Sequence, residues 1–392
     1  MSAVSLARTS AVLSVGPILP GATIGILGGG QLGKMLALEA RRLGYRIAVM
    51  DPQADCPAQP LADQVVVAPL SDVAGALALA EKADVVTVET EHVPWPVLKE
   101  VAAVKPLRPG WQVLQTVQDR WHQREFLRRA DLPMPACRCV STLPDLVAAV
   151  QDLGTPLVLK TRTGGYDGKG QVRIYPDTDL AAAWQEIGQQ PSVAEAFVHF
   201  VAEVSIVLAR GLDGSVAAWP LAGNEHRDGI LHTSTMPAAV PDAVLRHAAA
   251  LGQRVVEGLD LVGVAAIELF LLADGQLLIN EIAPRVHNSG HATLDAAATS
   301  QFEQHLRAVC GLPLGATDLL QPSVMLNLLG DLWQPQEPDW LAVLAEPRAR
   351  LHLYGKKQAR PGRKMGHIVA MGPSLAVAQA SIARLEALLG LS

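Results

Sequence analysis

Short apolar strands alternate with helical patterns in the first third of the chain. The runs, in order, are the strand Thr23 to Leu27, the helix Met35 to Leu43, the strand Arg46 to Met50, the helix Asp72 to Lys82 and the strand Val85 to Val88. Strands that alternate with helices are typical of a parallel sheet covered by helices on both faces. We therefore predict an α/β domain of the doubly wound, Rossmann-like class over residues 21–118.

The pattern changes after residue 118, where several strands follow one another without a helix between them. The predicted elements are the helix Asp119 to Arg129, the strand Ala136 to Val140, the helix Thr142 to Leu153, the strands Leu157 to Lys160, Ser192 to Phe197 and Ala202 to Leu208, and the helices Asp242 to Leu259 and Gln301 to Cys310. This order is typical of α+β structure. We predict a central domain over 119–313, a small C-terminal domain over 314–392 and a disordered extension over 1–20.

The segment Gly263 to His291 contains two apolar runs around Asp274-Gly275, a pair typical of a tight β-hairpin. We predict a two-residue type I′ loop, which places Glu268 directly opposite Glu281. The other partners in this register are Phe270 with Ile279 and Leu272 with Leu277. Opposed residues have Cβ atoms roughly 4.5–5.5 Å apart, so two carboxylates placed there repel each other.

A proton or a divalent cation between the two carboxylates would relieve this repulsion. Glu268 lies inside an apolar strand, and Glu281 lies in a stretch that is dense in polar residues: Asn280, Arg285, His287, Asn288 and His291. Two solvated acids at a strand end are the alternative. We favour a Mg²⁺ site held by Glu268 and Glu281.

Gly28 to Gly33, GGGQLG, follows the first strand and opens a helix, and Asp51 follows the second strand. The spacing matches the dinucleotide fingerprint, which requires only that amides at a helix N-terminus approach an anion. A dinucleotide, a substrate phosphate and a purely structural turn all remain open. Glu89 and Glu91 follow the strand Val85 to Val88, at the sheet edge where ligands bind in such folds, although solvation explains them equally well.

The stretch Thr161 to Gln171, TRTGGYDGKGQ, places four glycines between two predicted strands, with Lys160 before it and Lys169 within it. Glycine-rich amides and flanking lysines favour phosphate binding over a merely flexible hairpin loop. The stretch is not a Walker A motif. Glu195 and Glu203 are candidate acceptors for an adenine amino group and ribose hydroxyls, or else solvated strand-edge residues.

Seven lysines and arginines and no acid lie between Arg348 and Lys364, in a chain whose formal charge is −6. Charge runs are usually solvated faces. Here glycine and proline punctuate the run, notably at Arg360-Pro361-Gly362-Arg363-Lys364, which is typical of an anion site. Phosphate binding and a solvated face are equally weighted on composition alone.

The composition describes a soluble globular protein. The chain has 392 residues, 49% hydrophobic and 18% charged, and no apolar run long enough to span a membrane. The negative charge disfavours nucleic-acid binding. The four cysteines, Cys56, Cys137, Cys139 and Cys310, form neither a zinc pattern nor a disulfide framework, which fits a reducing cytoplasm. No secretion signal stands out near the first residue.

The motifs RTGGYDGKGQ after Lys160, INEIAPRVHNSGH and RPGRKMGH together resemble the N5-carboxyaminoimidazole ribonucleotide synthases, members of the ATP-grasp superfamily. The resemblance runs from Gly25 to about His367. It implies an ATP-grasp fold of mixed α/β and α+β class, with an N-terminal Rossmann-like pre-ATP-grasp domain and a small C-terminal domain. Arg124 departs from the family pattern, in which lysine is common there.

The resemblance also implies a reaction, in de novo purine synthesis, of ATP, bicarbonate and 5-aminoimidazole ribonucleotide, with Mg²⁺, in a cytoplasmic homodimer. It assigns ATP binding to Arg120, Lys160, Gly165, Tyr166, Asp167, Gly168, Lys169, Gly170, Gln171, Glu195, Ala196, Phe197, Val198, Glu203, His226, Asn280 and Glu281, and metal binding to Glu268 and Glu281. It assigns catalysis to Lys160, Arg285, His287 and Asn288. It assigns ribonucleotide binding to Gly30, Gln31, Leu32, Gly33, Glu89, Tyr166, Asp167, Arg285, His287, Lys356, Arg363 and Lys364.

Three other functions compete with this one. A nicotinamide-dependent oxidoreductase would use the GGGQLG unit, but it has no use for the Glu268–Glu281 pair. A sister ATP-grasp ligase, such as a formate-dependent glycinamide ribonucleotide transformylase or a biotin carboxylase, would use both. A non-catalytic nucleotide sensor would bind ATP without turnover.

Overall fold

The computed structural model describes residues 16–165 and 170–391. In the N-terminal part, a parallel sheet of order β3-β2-β1-β4 carries helices on both faces, as the alternating pattern predicts. Its elements are β1 Thr23–Leu27, α1 Gln31–Arg42, β2 Arg46–Asp51, β3 Gln64–Val67, α2 Val73–Glu81, β4 Val85–Val88, α3 Trp95–Val104 and α4 Trp111–Val117. The strands β1 and β4 are buried along their whole length, because helices cover both sides of a parallel sheet.

Helix α5, Arg120–Arg129, leads from this part into a small lobe. The lobe is an antiparallel sheet of order β5-β8-β6-β7 with a core of its own. Its elements are β5 Cys137–Val140, α6 Leu143–Leu153, β6 Leu157–Thr161, β7 Gln171–Ile174, α7 Leu180–Glu186 and β8 Ser192–Ala196. Thr142 and Asp145 form a reciprocal capping box at the start of α6, which explains why that helix begins where the sequence predicts.

A larger antiparallel sheet has the order β14-β13-β9-β11-β12-β15-β17-β16, with β10 beside β9. Its strands are β9 Ala202–Arg210, β10 Val216–Ala218, β11 Ala222–Arg227, β12 Ile230–Met236, β13 Gly263–Leu271, β14 Leu277–Ala283, β15 Ser323–Leu329, β16 Ala349–Leu353 and β17 Lys364–Met371. Its helices are α8 Asp242–Gly258, α9 Thr293–Ala296, α10 Gln301–Cys310, α11 Trp340–Leu344 and α12 Leu375–Leu389. Because β12 pairs with β15, one sheet continues across residue 313 into the C-terminal strands.

The hairpin β13–β14 keeps the predicted Glu268–Glu281 pair, but the predicted loop is wrong. Leu271 faces Leu277 and Phe270 faces Leu278, so the loop is longer than two residues. Gly275 has a φ of +85°, and Leu272 N–H donates to Gln276 O at 2.9 Å, as in a three-residue loop that ends in a left-handed glycine. A register shift after Glu268 then offsets the extra residue and returns the two glutamates to opposite positions.

His305 of α10 joins the N-terminal part to the large sheet. The Val264 N–H donates to its Nδ1 at 3.1 Å, so Nε2 carries the proton and donates to Thr87 Oγ1 at 2.7 Å. A second proton would have to sit on Nδ1, where it would point at the Val264 N–H and break that hydrogen bond. His305 is fully buried, and burial lowers its pKa to about 4.

This histidine makes the fold sensitive to acid. Between pH 6.5 and 4 the unfolded chain binds a proton at His305 that the folded chain does not, so stability is lost as the pH falls. We expect His305 to remove about 2 kcal/mol from the free energy of unfolding between pH 7 and pH 5. Urea titration of the wild type and His305→Gln at both pH values measures this. Glutamine can keep both hydrogen bonds without titrating, so equal pH dependence in the two proteins would contradict the prediction.

Candidate functional site

Two cavities adjoin where the N-terminal part, the small lobe and the large sheet meet. The smaller has a volume of about 690 Å³ and lies between the two sheets of the central part. The larger has a volume of about 1000 Å³ and lies between the N-terminal part and the C-terminal basic run. Residues that line both cavities are Glu91, Arg285, His287, Asn288 and Lys364. The junction therefore carries three of the polar residues of the predicted APRVHNSGH site and one lysine of the C-terminal basic run, Arg348 to Lys364.

The smaller cavity brings together most of the residues predicted to bind ATP. They are Arg120, Lys160, Gly170, Gln171, Glu195, Ala196, Phe197, Val198, Glu203, His226, Asn280 and Glu281. Gly165 does not line it, but its carbonyl accepts a hydrogen bond from Arg120 Nη2 at 3.2 Å. Tyr166, Asp167, Gly168 and Lys169 lie outside the described residues. Phe200 and Phe270 add a stacked aromatic wall, with ring centroids 4.7 Å apart, that sequence reasoning did not include.

A buried ion network ties the two sheets together beneath this cavity. The Glu195 carboxylate binds Arg124 Nη2 at 2.6 Å and Lys160 Nζ at 2.7 Å. Arg124 also donates to the Asn280 carbonyl at 2.7 Å, so it links β8 of the small lobe to β14 of the large sheet. Burial opposes ionisation of Glu195, but the two cations hold its pKa at about 2. Arg124, noted in the sequence only as a departure from a family pattern, is thus part of the site's framework.

The opposed glutamates lie on the floor of the same cavity. Burial, and then the Glu281 carboxylate, raise the pKa of Glu268 to about 7. Arg120 Nη1 lies 3.2 Å from Glu281 Oε2, and His287 Nε2 lies 3.4 Å from Glu268 Oε1. A donor set of two carboxylates and the Asn280 amide oxygen fits a hard cation such as Mg²⁺.

His226 and Glu203 form a second charged pair on the wall of the cavity. His226 Nδ1 lies 2.8 Å from Glu203 Oε2. Burial lowers the pKa of His226, but the hydrogen bond and the charge of Glu203 outweigh burial, so the pKa is raised overall. The two side chains project from neighbouring strands, β11 and β9, which explains why residues 23 positions apart meet.

His287 and Asn288 lie at the junction on the turn after β14. Ser289 N–H donates to His287 Nδ1 at 3.3 Å, which leaves the proton on Nε2 and directs it toward the glutamates. Burial, and then Arg285, lower the pKa of His287 to about 3, so the ring is neutral near pH 7. Asn288 exchanges two hydrogen bonds with the buried Asn327 of β15, at 2.7 and 3.0 Å. This pair of amides links the turn after β14 to strand β15 of the C-terminal part.

The larger cavity collects most of the described residues that were predicted to bind the ribonucleotide, but not Gly30 or Gly33. Its lining includes Gln31, Leu32, Glu89, Lys356, Arg363 and Lys364, together with Arg285 and His287 of the junction. The basic run therefore faces a cavity at Lys356, Arg360 and Arg363. Lys356 Nζ donates to the Lys364 carbonyl at 2.6 Å, which closes the run into a compact loop. Lys34 of α1 donates to the Tyr354 carbonyl at 3.1 Å and holds the start of this loop.

The predicted glycine motif does not present its amides to the cavity. Glu89 accepts the Gly30 N–H at 2.8 Å and the Gly33 N–H at 2.6 Å. Asp51 accepts the Gly29 N–H at 2.9 Å. The anion at the start of α1 is therefore a carboxylate of the chain, and the expectation that Gly30 and Gly33 hold a phosphate is incompatible with this arrangement. A Cβ on Gly30 would lie 2.6 Å from the Glu89 carboxylate, so glycine is needed for this close approach.

Three protein-family models match the chain in order. The ribonucleotide synthetase preATP-grasp domain matches residues 21–118, the ATP-grasp domain matches 125–302, and the phosphoribosylaminoimidazole carboxylase C-terminal domain matches 323–381. An N5-carboxyaminoimidazole ribonucleotide synthase of Brucella melitensis is 46% identical over 356 residues, which cover 90% of this chain and 97% of the relative. In the described residues, no helix is long and apolar enough to cross a membrane.

Two solved structures are similar over nearly the whole chain. An N5-carboxyaminoimidazole ribonucleotide synthetase in its ADP complex has a TM-score of 0.90 and 41% identity, and the match covers 95% of this chain and 98% of that one. The synthase from Aspergillus clavatus, in complex with ADP and 5-aminoimidazole ribonucleotide, has a TM-score of 0.86 and 34% identity, with 94% and 98% covered.

The fold and the cavity between its two sheets define an ATP-grasp ligase with a preATP-grasp domain. Within that class, the chain belongs to the N5-carboxyaminoimidazole ribonucleotide synthase family. The resemblance seen in the sequence motifs is confirmed. The ATP-grasp fold with its N-terminal and C-terminal domains is confirmed as well.

Arg124 provides a test of the ion network. Arg124→Met removes one of the two cations that bind the Glu195 carboxylate, the other being Lys160, and breaking a buried pair of this kind costs about 3 kcal/mol of unfolding free energy. Arg124→Lys keeps the charge but loses hydrogen bonds to the Asn280 and Ile279 carbonyls, which costs about 1 kcal/mol. Denaturant unfolding measures both. Arg129 is exposed on the same helix, so Arg129→Met is the control and should change the free energy of unfolding little. If Arg124→Met lowers the free energy of unfolding no more than this control does, the network does not stabilise the fold.

Proposed function

We propose that the chain carboxylates 5-aminoimidazole ribonucleotide with bicarbonate at the expense of ATP. The products are N5-carboxyaminoimidazole ribonucleotide, ADP and phosphate, a step of de novo purine synthesis. The observation that carries the proposal is that two cavities meet at Arg285 and His287. One has a volume of about 690 Å³ and lies between the two sheets, and the other is lined by lysines and arginines of the C-terminal basic run. Relatives with this name, and a similar structure that binds ADP and the ribonucleotide, support it.

The smaller cavity binds ATP in this proposal. The segment Glu195 to Val198 leaves the small lobe between the two sheets and lines the cavity, as do Glu203 and His226 on the opposite sheet. Lys160 projects from β6 into the cavity, and its ion pair with Glu195 orients its ammonium group. Lys160 and Arg120 therefore supply positive charge to the phosphates. This step needs mainly alignment and neutralisation of charge.

Glu268 and Glu281, with Asn280 beside them, would hold Mg²⁺. In the described residues there is no group of three or more His, Cys, Asp and Glu side chains that could hold a metal, so phosphate oxygens of the nucleotide would complete its ligands. Bound Mg²⁺ would neutralise phosphate charge during transfer. Arg120, which contacts Glu281, holds that carboxylate in place.

Bicarbonate binds at the junction in this proposal. It is a poor electrophile, and transfer of the γ-phosphoryl group gives carboxyphosphate, whose carboxyl carbon the amine can attack. Arg285 supplies a positive charge for either anion. Neutral His287 supplies an N–H donor and Asn288 an amide, so both can orient the group without adding charge.

The ribonucleotide binds in the larger cavity. Lys356, Arg363 and Lys364 face it and would bind the phosphate. Gln31, Leu32 and Glu89 line the opposite wall, and we assign the aminoimidazole ribose to this side. Tyr166 and Asp167, which the family resemblance assigns to the ribonucleotide, lie outside the described residues. A homodimer in the cytoplasm remains part of the proposal on the strength of that resemblance alone.

Product analysis tests the activity. With MgATP, bicarbonate and 5-aminoimidazole ribonucleotide, we expect ADP release that depends on the ribonucleotide and matches its consumption one for one. Glycinamide ribonucleotide with formate, and biotin with bicarbonate, are the comparison substrates. Glu281→Gln is the control variant. It removes the negative charge of a proposed metal ligand and, with it, the repulsion between the two carboxylates, so it should nearly abolish turnover without loss of thermal stability. Turnover with a comparison substrate alone would overturn the proposal.

The C-terminal basic run, Arg348 to Lys364, predicts an effect on ribonucleotide affinity that is separate from ATP affinity. Arg363 lines the larger cavity and not the smaller, so Arg363→Glu should raise the KM for the ribonucleotide about tenfold or more and leave the KM for ATP almost unchanged. Steady-state titration of each substrate measures both constants. Arg348→Glu is the matched control, because Arg348 is exposed, belongs to the same run and lines neither cavity. An unchanged ribonucleotide KM in Arg363→Glu would remove the phosphate site from this position.

A further inference from the structure

Glu91 binds the arginine at the junction of the two cavities. It follows β4 of the N-terminal part, and its Oε1 accepts from Arg285 Nη2 at 2.8 Å. Its Oε2 accepts from Arg285 Nε, so the pair is bidentate. Both side chains are largely covered, with 28% of Glu91 and 16% of Arg285 exposed. The pair is a bridge from the N-terminal part to the turn after β14.

The backbone of Glu91 is held as firmly as its carboxylate. Gln118, at the end of α4, donates from its side-chain amide to the Glu91 carbonyl at 2.9 Å. The same amide group donates to the Val93 carbonyl. Glu91 therefore presents its carboxylate from a segment whose position is set by two elements. A bidentate contact with such a group restricts both the position and the plane of the guanidinium.

The contact also determines which donors of Arg285 remain for a ligand. A guanidinium has five N–H groups. Glu91 takes two of them, and the Val286 carbonyl takes one from Nη1 at 3.1 Å. Among the described residues, one N–H on each terminal nitrogen has no further acceptor. Arg285 lines both cavities together with His287 and Asn288.

We propose that Glu91 is a positioning residue that orients Arg285 at the junction and thereby couples ATP cleavage to carboxylation of the ribonucleotide. The inference rests on the proposed function. In that reaction the bicarbonate oxygen attacks the γ-phosphorus and the bond to ADP breaks. The amine then attacks the carboxyl carbon, the bond from that carbon to the phosphate oxygen breaks, and the amine proton is lost.

Loss of orientation at the junction has a specific chemical consequence. The carboxyl group must stay within reach of the amine, and a misplacement of about 1 Å can reduce such a step about a hundredfold. Water then breaks the same carboxyl–phosphate linkage and returns bicarbonate and phosphate. ADP continues to form, but the ribonucleotide is not consumed. Arg285 also holds the pKa of Glu91 at about 2 against the effect of burial, so the carboxylate stays ionised over the working range of pH.

Glu91→Gln tests the inference by comparing two products of one reaction. It keeps the shape of the side chain but replaces one acceptor oxygen by a donor that faces Arg285. We expect ribonucleotide consumption to fall about tenfold or more, while ADP formation with bicarbonate falls much less, so that consumption per ADP drops well below one. Bicarbonate-dependent ADP release and loss of the ribonucleotide amine are measured in the same sample.

Two further variants separate positioning from general damage. Glu100→Gln removes an exposed carboxylate from α3 of the same part, lines neither cavity and should leave the ratio at one. Glu91→Asp keeps the charge with a shorter reach and should give an intermediate ratio. It also provides the test if Glu91→Gln does not fold, and a ratio of one in a folded Glu91→Asp would then overturn the inference.

The two proposals fail in different ways. If the wild type does not consume the ribonucleotide, the proposed function fails. If the wild type consumes one ribonucleotide per ADP and folded Glu91→Gln does the same, only the role of Glu91 is overturned, even where its melting temperature has changed. A ratio that is lowered in Glu91→Gln but not in Glu100→Gln supports positioning, because a purely structural ion pair would change stability without changing the ratio.

Discussion

The close approach of two carboxylates on adjacent strands is the constraint on which the site depends. Glu268 and Glu281 face each other in a strongly apolar hairpin, and burial and their mutual repulsion raise the pKa of Glu268 to about 7. The strand register maintains this repulsion, because the shift after Glu268 returns the pair to opposite positions despite a longer loop. The carboxylate pair is thus part of the sheet and not of a loop. Arg120 pairs with Glu281, and Arg124 and Lys160 pair with Glu195 in the same cavity region.

The second organising feature is the meeting of three parts of the chain at Arg285. Glu91 comes from the N-terminal sheet, Arg285 from the turn after β14 and Lys364 from the start of β17. The sheet that continues through β12 and β15 fixes the C-terminal strands relative to the hairpin. His305 and Thr87 fix the N-terminal part relative to the same sheet. The two cavities therefore meet in a rigid frame, which suits a reaction that passes a short-lived group from one ligand to another.

Local pattern was sufficient for most of the secondary structure. The helices after Asp119 and Thr142 begin where their capping side chains predict, since a cap acts within three residues of itself. The Glu268–Glu281 pair was predicted from a two-residue loop, and the structure keeps it only because the register shift after Glu268 offsets the longer loop. The loop was predicted wrongly, because Asp-Gly suits more than one turn type and the bulge depends on packing along the whole strand.

Contacts between distant segments could not be predicted from the sequence. The glycine motif read by itself pointed to an external anion, yet Glu89, 59 positions away from Gly30, supplies that anion from within the chain. Arg124 showed only as a departure from a family pattern, and Glu91 only as one of two acids after a strand; their partners lie 71 and 194 positions away. The sequence by itself determined the elements, the motifs and the family, because these follow from short-range periodicity and residue type. The tertiary structure decided which charged groups neutralise one another, because that depends on distances that only the packed sheets set.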